Sequence, residues 1–252
     1  MSPSPLPQLP RTAVVTGATR GFGRAIAAAL VAAGTHVVGI ARHERELNGV
    51  RDELGDDFTP VAADATGETL AQDLIRAHRP GLLVLNAGAA PHMTPVHEHT
   101  WETFSRHWET DTRHVFGWTR AALREPLAPG SLVVSMSSGA VLGGSPLSGG
   151  YASAKAAIRY LRGYATDESQ RAGLGIRFAT LLPNMSLDGG IGSVAAAGYA
   201  ARLGVDRDTF IRDRGPVLTA DQVGKAVVEL AGDPDSAPEY RVVGGDGLSP
   251  LD

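Results

Sequence analysis

Short apolar runs alternate with helix-length amphipathic stretches along most of this chain, and that alternation restricts the fold more than any other feature. Strands are predicted near 12–16, 35–41, 58–63, 81–85, 130–136, 175–181 and 240–243, and helices near 22–33, 43–54, 67–78, 98–126, 150–172 and 219–231. Successive strand–helix–strand units of this kind form right-handed crossovers and a parallel sheet covered on both faces. The expected class is therefore α/β, with seven predicted strands in a mostly parallel sheet. With 252 residues and 43% hydrophobic content, one substantial core fits, and no internal repeat or linker divides the chain. The expected organisation is a flexible Pro-rich arm over 1–10, from the sequence MSPSPLPQLP, followed by one domain over 11–252.

The formal charge of −4 supplies no general basic field for nucleic acid or an anionic membrane. No apolar stretch approaches the ~20 residues that span a bilayer. The absence of Cys excludes disulfides and thiolate metal sites, and fits a cytoplasmic location. The N-terminal sequence also lacks the basic region and long apolar core of a secretory signal.

Two local patterns carry chemistry. Residues 12–23, TAVVTGATRGFG, read as a β-branched run, a Gly-rich turn and the start of a helix. Gly17, Gly21 and Gly23 would let backbone approach a pyrophosphate at the N-terminus of that helix. The second pattern lies in SSGAVLGGSPLSGGYASAK, where Ser138 stands thirteen positions before Tyr151, and Lys155 follows four residues later. Residues four apart meet on one helix face. A phenol titrates near pH ~10, and a neighbouring ammonium stabilises the phenolate, so proton exchange with a ketone or alcohol oxygen becomes feasible. A Ser hydroxyl can orient the same oxygen. No Gly-x-Ser-x-Gly elbow surrounds Ser135, Ser137 or Ser138, which argues against a hydrolase.

These segments resemble the short-chain dehydrogenase/reductase family. TGATRGFG at 16–23 is similar to its cofactor turn, Asn86-Ala87-Gly88 to its motif after the fourth strand, and Ser138, Tyr151 and Lys155 to its catalytic residues. The likeness extends from about Thr12 to Gly244-Gly245, and it implies a Rossmann-type doubly wound, mostly parallel seven-stranded sheet with helices on both faces. It implies a nicotinamide cofactor contacted by Gly17, Thr19, Arg20, Gly21, Phe22, Gly23, Arg42, Asp64, Ala65, Asn86, Ala87, Gly88, Pro183 and Ser186, with Tyr151 and Lys155 reaching it as well. In VVGIARHE, Ala41 replaces the Asp of NAD-preferring relatives and Arg42 follows. Together with Arg20, that arginine favours the 2′-phosphate of NADP(H). Asp64 resembles the family's adenine-contacting Asp and could equally initiate an Asx turn.

Two positions depart from the family pattern. Asp111 replaces the usual Asn of the fourth long helix, on a stripe with Trp101, Phe104, Trp108, Val115 and Trp118, so it is expected to point inward near Lys155. Pro183-Asn184 replaces Pro-Gly; Asn tolerates positive φ, and Ser186 could supply the missing hydroxyl. The segment 184–217, with Ile191, Val194, Tyr199, Phe210 and Ile211, reads either as a substrate lid or as an ordinary pair of surface helices. His92, His97 and His99 cluster after the Asn-Ala-Gly motif without metal-site spacing, so no metal is expected. The resemblance implies an NADP(H)-dependent oxidoreductase acting on a ketone or secondary alcohol, a carbonyl reductase. Its competitor is a redox-neutral or non-catalytic NADP-binding relative. A homo-oligomer, a tetramer or else a dimer, is expected through the helices at 98–126 and 150–172.

Overall fold

The computed structural model describes residues 9–187, 190–245 and 247–251. Most of the Pro-rich arm thus lies outside the described residues, as do residues 188–189 of the proposed lid and the side chain of Ile191. Pro10 is part of the packed structure: its carbonyl accepts from Thr35 Oγ1 at 2.9 Å.

Eight strands form one sheet in the order β3-β2-β1-β4-β5-β6-β7-β8. They are β1 (Thr12–Thr16), β2 (His36–Ala41), β3 (Phe58–Ala62), β4 (Leu82–Leu85), β5 (Leu132–Met136), β6 (Arg177–Pro183), β7 (Glu239–Val243) and β8 (Gly247–Pro250). The first seven are parallel, as expected; β8 is an additional strand, antiparallel to β7. Its sequence, GLSP, has no apolar periodicity. It is a strand because the free edge of β7 offers it hydrogen bonds.

The helices are α1 (Gly21–Ala32), α2 (Glu44–Leu54), α3 (Leu70–His78), α4 (Trp101–His107), α5 (Arg113–Arg124), α6 (Ala140–Gly143), α7 (Tyr151–Arg171), α8 (Gly190–Leu203), α9 (Arg207–Arg212) and α10 (Ala220–Gly232). In β1, Ala13 and Val15 pack with Ile26, Leu30 and Val227, while Val14 faces Ile75, Trp118 and Ile158. Side chains alternate across a strand, so covering both faces requires the continuous apolar runs seen in the sequence. Gly224 permits the close α1–α10 crossing, because a Cβ there would meet Ala25 O at 2.6 Å.

The stretch expected as one helix over 98–126 is broken. A π-helical turn, Trp108–Thr112, separates α4 from α5. The wider turn shifts the helical phase, and the aromatic stripe divides. Trp101 is 77% exposed and Trp108 40% exposed, whereas Val115 and Trp118 are buried. The inward row is instead His107, Asp111, His114 and Trp118.

Candidate active site

The sheet reverses its winding between β1 and β4, and in such sheets a crevice opens beyond the carboxyl ends of the strands. Thr16 ties the two strand ends together. Its Oγ1 donates to Val84 O and accepts from the Asn86 and Ala87 amides at 2.9 and 3.0 Å. Asn86 Nδ2 returns a bond to Thr16 O at 3.1 Å. Gly17 has φ +70° and Gly21 φ +52°, left-handed conformations that glycine adopts without steric cost.

The resulting cavity has a volume of about 1370 Å³ and is lined by every predicted catalytic and cofactor-contacting residue except Gly23. Gly23 serves from behind: a Cβ there would sit 2.1 Å from Gly17 O, so its absence lets α1 close against the turn. The N-terminus of α1 has no side-chain cap and no acid in its first turn, and Gly21 has nothing within 4 Å of a Cβ position. Free amides and a clear approach fit a dinucleotide's pyrophosphate. Arg20 and Arg42 are exposed at the rim. Asp64 Oδ1 accepts from the Thr66 amide and hydroxyl, an Asx turn; these bonds, with Arg42 nearby, hold its carboxyl below the ordinary range. Trp118 Nε1 donates to Ala65 O at 2.9 Å and anchors that loop to α5.

Tyr151 opens α7 where two glycines bring the chain against α4. A Cβ on Gly150 would lie 1.9 Å from Phe104 O. One turn on, Lys155 is buried; its Nζ donates to Met136 O at 3.0 Å and lies 5.6 Å from the Tyr151 ring centre. Ser137 Oγ donates to Lys155 O, and Ser135 bonds with Thr180, so both hydroxyls serve the scaffold. Ser138 Oγ accepts from the Ala140 amide at 3.2 Å, and among the described residues its own proton has no recipient.

Asp111 reaches this cluster from the π-helical turn. Its Oδ2 pairs with Lys155 Nζ at 3.2 Å, and its Oδ1 accepts from the Ala89 amide at 2.8 Å and Thr110 Oγ1 at 2.9 Å. Burial alone would raise this carboxyl, but the Lys155 ammonium, helped by His107 and the Ala89 amide, holds it far below the usual carboxylate range. For Lys155 burial likewise opposes the charge, and Asp111 overcomes it, so the amine is raised. Gly88 is glycine for the same reason: a Cβ would sit 2.8 Å from Asp111 Oδ2.

Sequence reasoning missed two buried histidines. His107, one turn before Asp111, lies with Nδ1 3.6 Å from its carboxylate and packs edge-on to Tyr151 at 5.2 Å. His114 is held neutral, pushed down to about 4 by burial and by the Lys155 charge. Their spacing from Asp111 was the available signal. Asn184 is not in the left-handed region that Pro-Gly would suggest; its amide donates to Val242 O at 2.9 Å, and its side chain covers Gly139. Ser186 bridges to Leu218 and lines the cavity. Among the described residues no three His, Asp or Glu side chains group as metal ligands.

The segment after β6 folds as α8 and α9 with a small core of Ala196, Ala200 and Phe210. Tyr199 and Phe210 stack at 6.3 Å, and Tyr199 OH bonds Ser145 Oγ at 2.7 Å, tying this pair of helices to the loop before Tyr151.

A parallel sheet with a Gly-rich crevice, bearing a Ser, Tyr and Lys along its wall, defines a Rossmann-type dehydrogenase scaffold. The sequence profile described as short chain dehydrogenase matches residues 11–187, and the chain belongs to that family. It is 30% identical over 182 residues to a serine 3-dehydrogenase of Agrobacterium fabrum, covering 69% of this chain and 71% of that one. A probable NADP-dependent dehydrogenase of Haemophilus influenzae is 34% identical over 122 residues, 46% of this chain and 48% of the relative. The NADP-dependent 3-hydroxy acid dehydrogenase of Escherichia coli is 30% identical over 158 residues, 58% and 61% respectively. The match therefore spans about half the length of the Haemophilus protein and under two thirds of the Escherichia one. A short-chain dehydrogenase from Streptomyces avermitilis superposes with a TM-score of 0.74 at 25% identity, covering 94% of this chain and 89% of that one.

Proposed function

We propose that the protein is an NADP(H)-dependent carbonyl reductase acting on a ketone or secondary alcohol. The observation that carries this reading is the buried Lys155 ammonium beside Tyr151, at the wall of a cavity that reaches the α1 N-terminus. Tyr151 gives the proton to the carbonyl oxygen, Ser138 orients that oxygen, and Lys155 supports the phenolate left behind. When bound, the nicotinamide supplies the hydride. Asp111 keeps Lys155 charged inside the protein, and so takes a positioning role. α8 and α9 cover the substrate end. The relatives named for NADP and for hydroxy acids support the same reading. A panel of ketones and alcohols, followed by the absorbance of the reduced cofactor, tests it; no turnover of any ketone would refute it.

The cofactor preference rests on Arg20 and Arg42. Two exposed guanidinium groups on a phosphate favour NADP(H) over NAD(H) by roughly 10- to 100-fold, less than buried pairs would because water screens them. Calorimetric titration of the Arg20→Ala, Arg42→Ala double variant is expected to show that preference collapse. Equal affinities in the parent protein would defeat the assignment.

Assembly uses the α5–α7 face. Phe116, Tyr160 and Tyr164 are exposed there around a groove of about 460 Å³ that also includes Trp108 and Leu161. An apolar groove of this size suits a second copy of the chain. Sedimentation at micromolar concentration is expected to show a homotetramer, or else a homodimer. A monomer alone would exclude both.

A further inference from the structure

Building on the reductase reading, we infer that the carbonyl substrate carries a carboxylate, held by Arg214 together with Arg202 at the α8–α9 end of the cavity. Arg214 sits on an aromatic stack that Arg202 adjoins in sequence. Arg202 is three residues beyond Tyr199 on α8, so the two share a helix face. Phe210 stacks on Tyr199, and the Arg214 guanidinium lies 4.3 Å above the Phe210 ring. The stack is anchored to the catalytic loop, since Tyr199 OH accepts from the Leu147 amide at 3.3 Å besides its bond to Ser145. Arg202 and Arg214 both line the cavity.

Among the described residues neither arginine has a carboxylate partner. Among the described residues, Asp213 faces Arg212, and Asp206 caps α9 through Thr209. The carboxylates that line the cavity are also distant in role. Asp111 is paired with Lys155, while Glu46 and Asp64 follow β2 and β3 on the side assigned to the cofactor. The same cavity is also lined by the apolar side chains of Met93, Met185, Leu187 and Phe210. A guanidinium held over an aromatic face keeps its N–H fork available for a planar carboxylate. The ligand this favours is an oxo acid with an apolar skeleton, its ketone at Tyr151 and its carboxylate at the arginines.

The test uses acetoacetate and levulinate, each against its methyl ester, with the full-length protein saturated with cofactor. Binding is measured by calorimetry and turnover by NADPH oxidation. The acids are expected to bind at least about 10-fold more tightly than the esters. In the Arg202→Gln, Arg214→Gln double variant that advantage should vanish, with NADPH affinity unchanged; Arg214→Lys alone should retain part of it. Thermal melting that matches the parent confirms that the variants are folded, and a misfolded double variant is replaced by the single Arg214→Gln change. Equal binding of acid and ester, binding of neither, or a fall in NADPH affinity in the variant overturns the proposal. Turnover of esters without preference for acids removes only this inference. Tight binding of acids with no oxidation of NADPH removes the reductase reading and keeps the anion site.

Discussion

Tyr151→Phe is expected to lower kcat/KM for any ketone substrate by roughly 10²–10⁴-fold, the usual contribution of a positioned proton donor. The phenol oxygen is the one atom removed. The ring still packs edge-on against His107, and Gly149 and Gly150 still bring the start of α7 against its neighbours. Stability should therefore change little, and NADP(H) binding should stay within a few-fold of the parent. Lys155 keeps its bonds to Asp111 and Met136 O in the variant. Stopped-flow turnover and cofactor titration on the same preparation separate the two effects. Turnover near the parent rate would remove Tyr151 from the mechanism.

The second large effect concerns Asp111. Asp111→Ala is expected to destabilise the fold by about 3–5 kcal/mol at neutral pH, because it leaves the Lys155 ammonium buried without its counter-ion. Asp111→Asn should cost less, since an amide oxygen can still accept from the Ala89 amide. The pH dependence has a definite sign. Asp111 is lowered in the folded state, so its contribution is present above the unfolded value near ~4 and fades as the pH falls below it. Lys155 is raised, so its contribution is present below ~10.4 and fades as the pH climbs through the higher folded value. The gap between parent and variant in urea unfolding should thus be widest between these limits and narrow in acid. A penalty below about 1 kcal/mol at neutral pH would mean that Lys155 is not left as an unpaired buried charge.

Catalysis should respond differently from stability. In Asp111→Asn the carboxylate no longer offsets the ammonium, and Lys155 loses the partner that overcomes its burial. Relieved repulsion of the Tyr151 phenolate lowers the apparent pKa of turnover, and a weaker Lys155 charge opposes that. The phenolate effect is expected to dominate, so the apparent pKa moves downward while the enzyme stays active. Superimposable pH–rate profiles would show that Asp111 acts on stability alone.

Periodicity by itself determined much of this protein. A strand buried on both faces must be apolar throughout, and a helix covering a sheet must be apolar every three or four residues, so seven parallel strands and their crossovers were legible from local pattern. The Gly-rich turn and the Ser138–Tyr151–Lys155 spacing were legible for the same local reason, and they carry the family membership. Only the tertiary structure decided the rest. The π-helical turn at Trp108–Thr112 inserts a phase shift that no repeat reveals, turning Trp101 and Trp108 outward and His107 inward. β8 forms because β7 has an open edge, a property of the sheet instead of the segment GLSP. The Asp111–Lys155 pair spans 44 positions, and the stack of Arg214, Phe210 and Tyr199 joins two helices to a loop far earlier in the chain. Such contacts depend on how elements pack, and packing is invisible to any window of neighbouring residues.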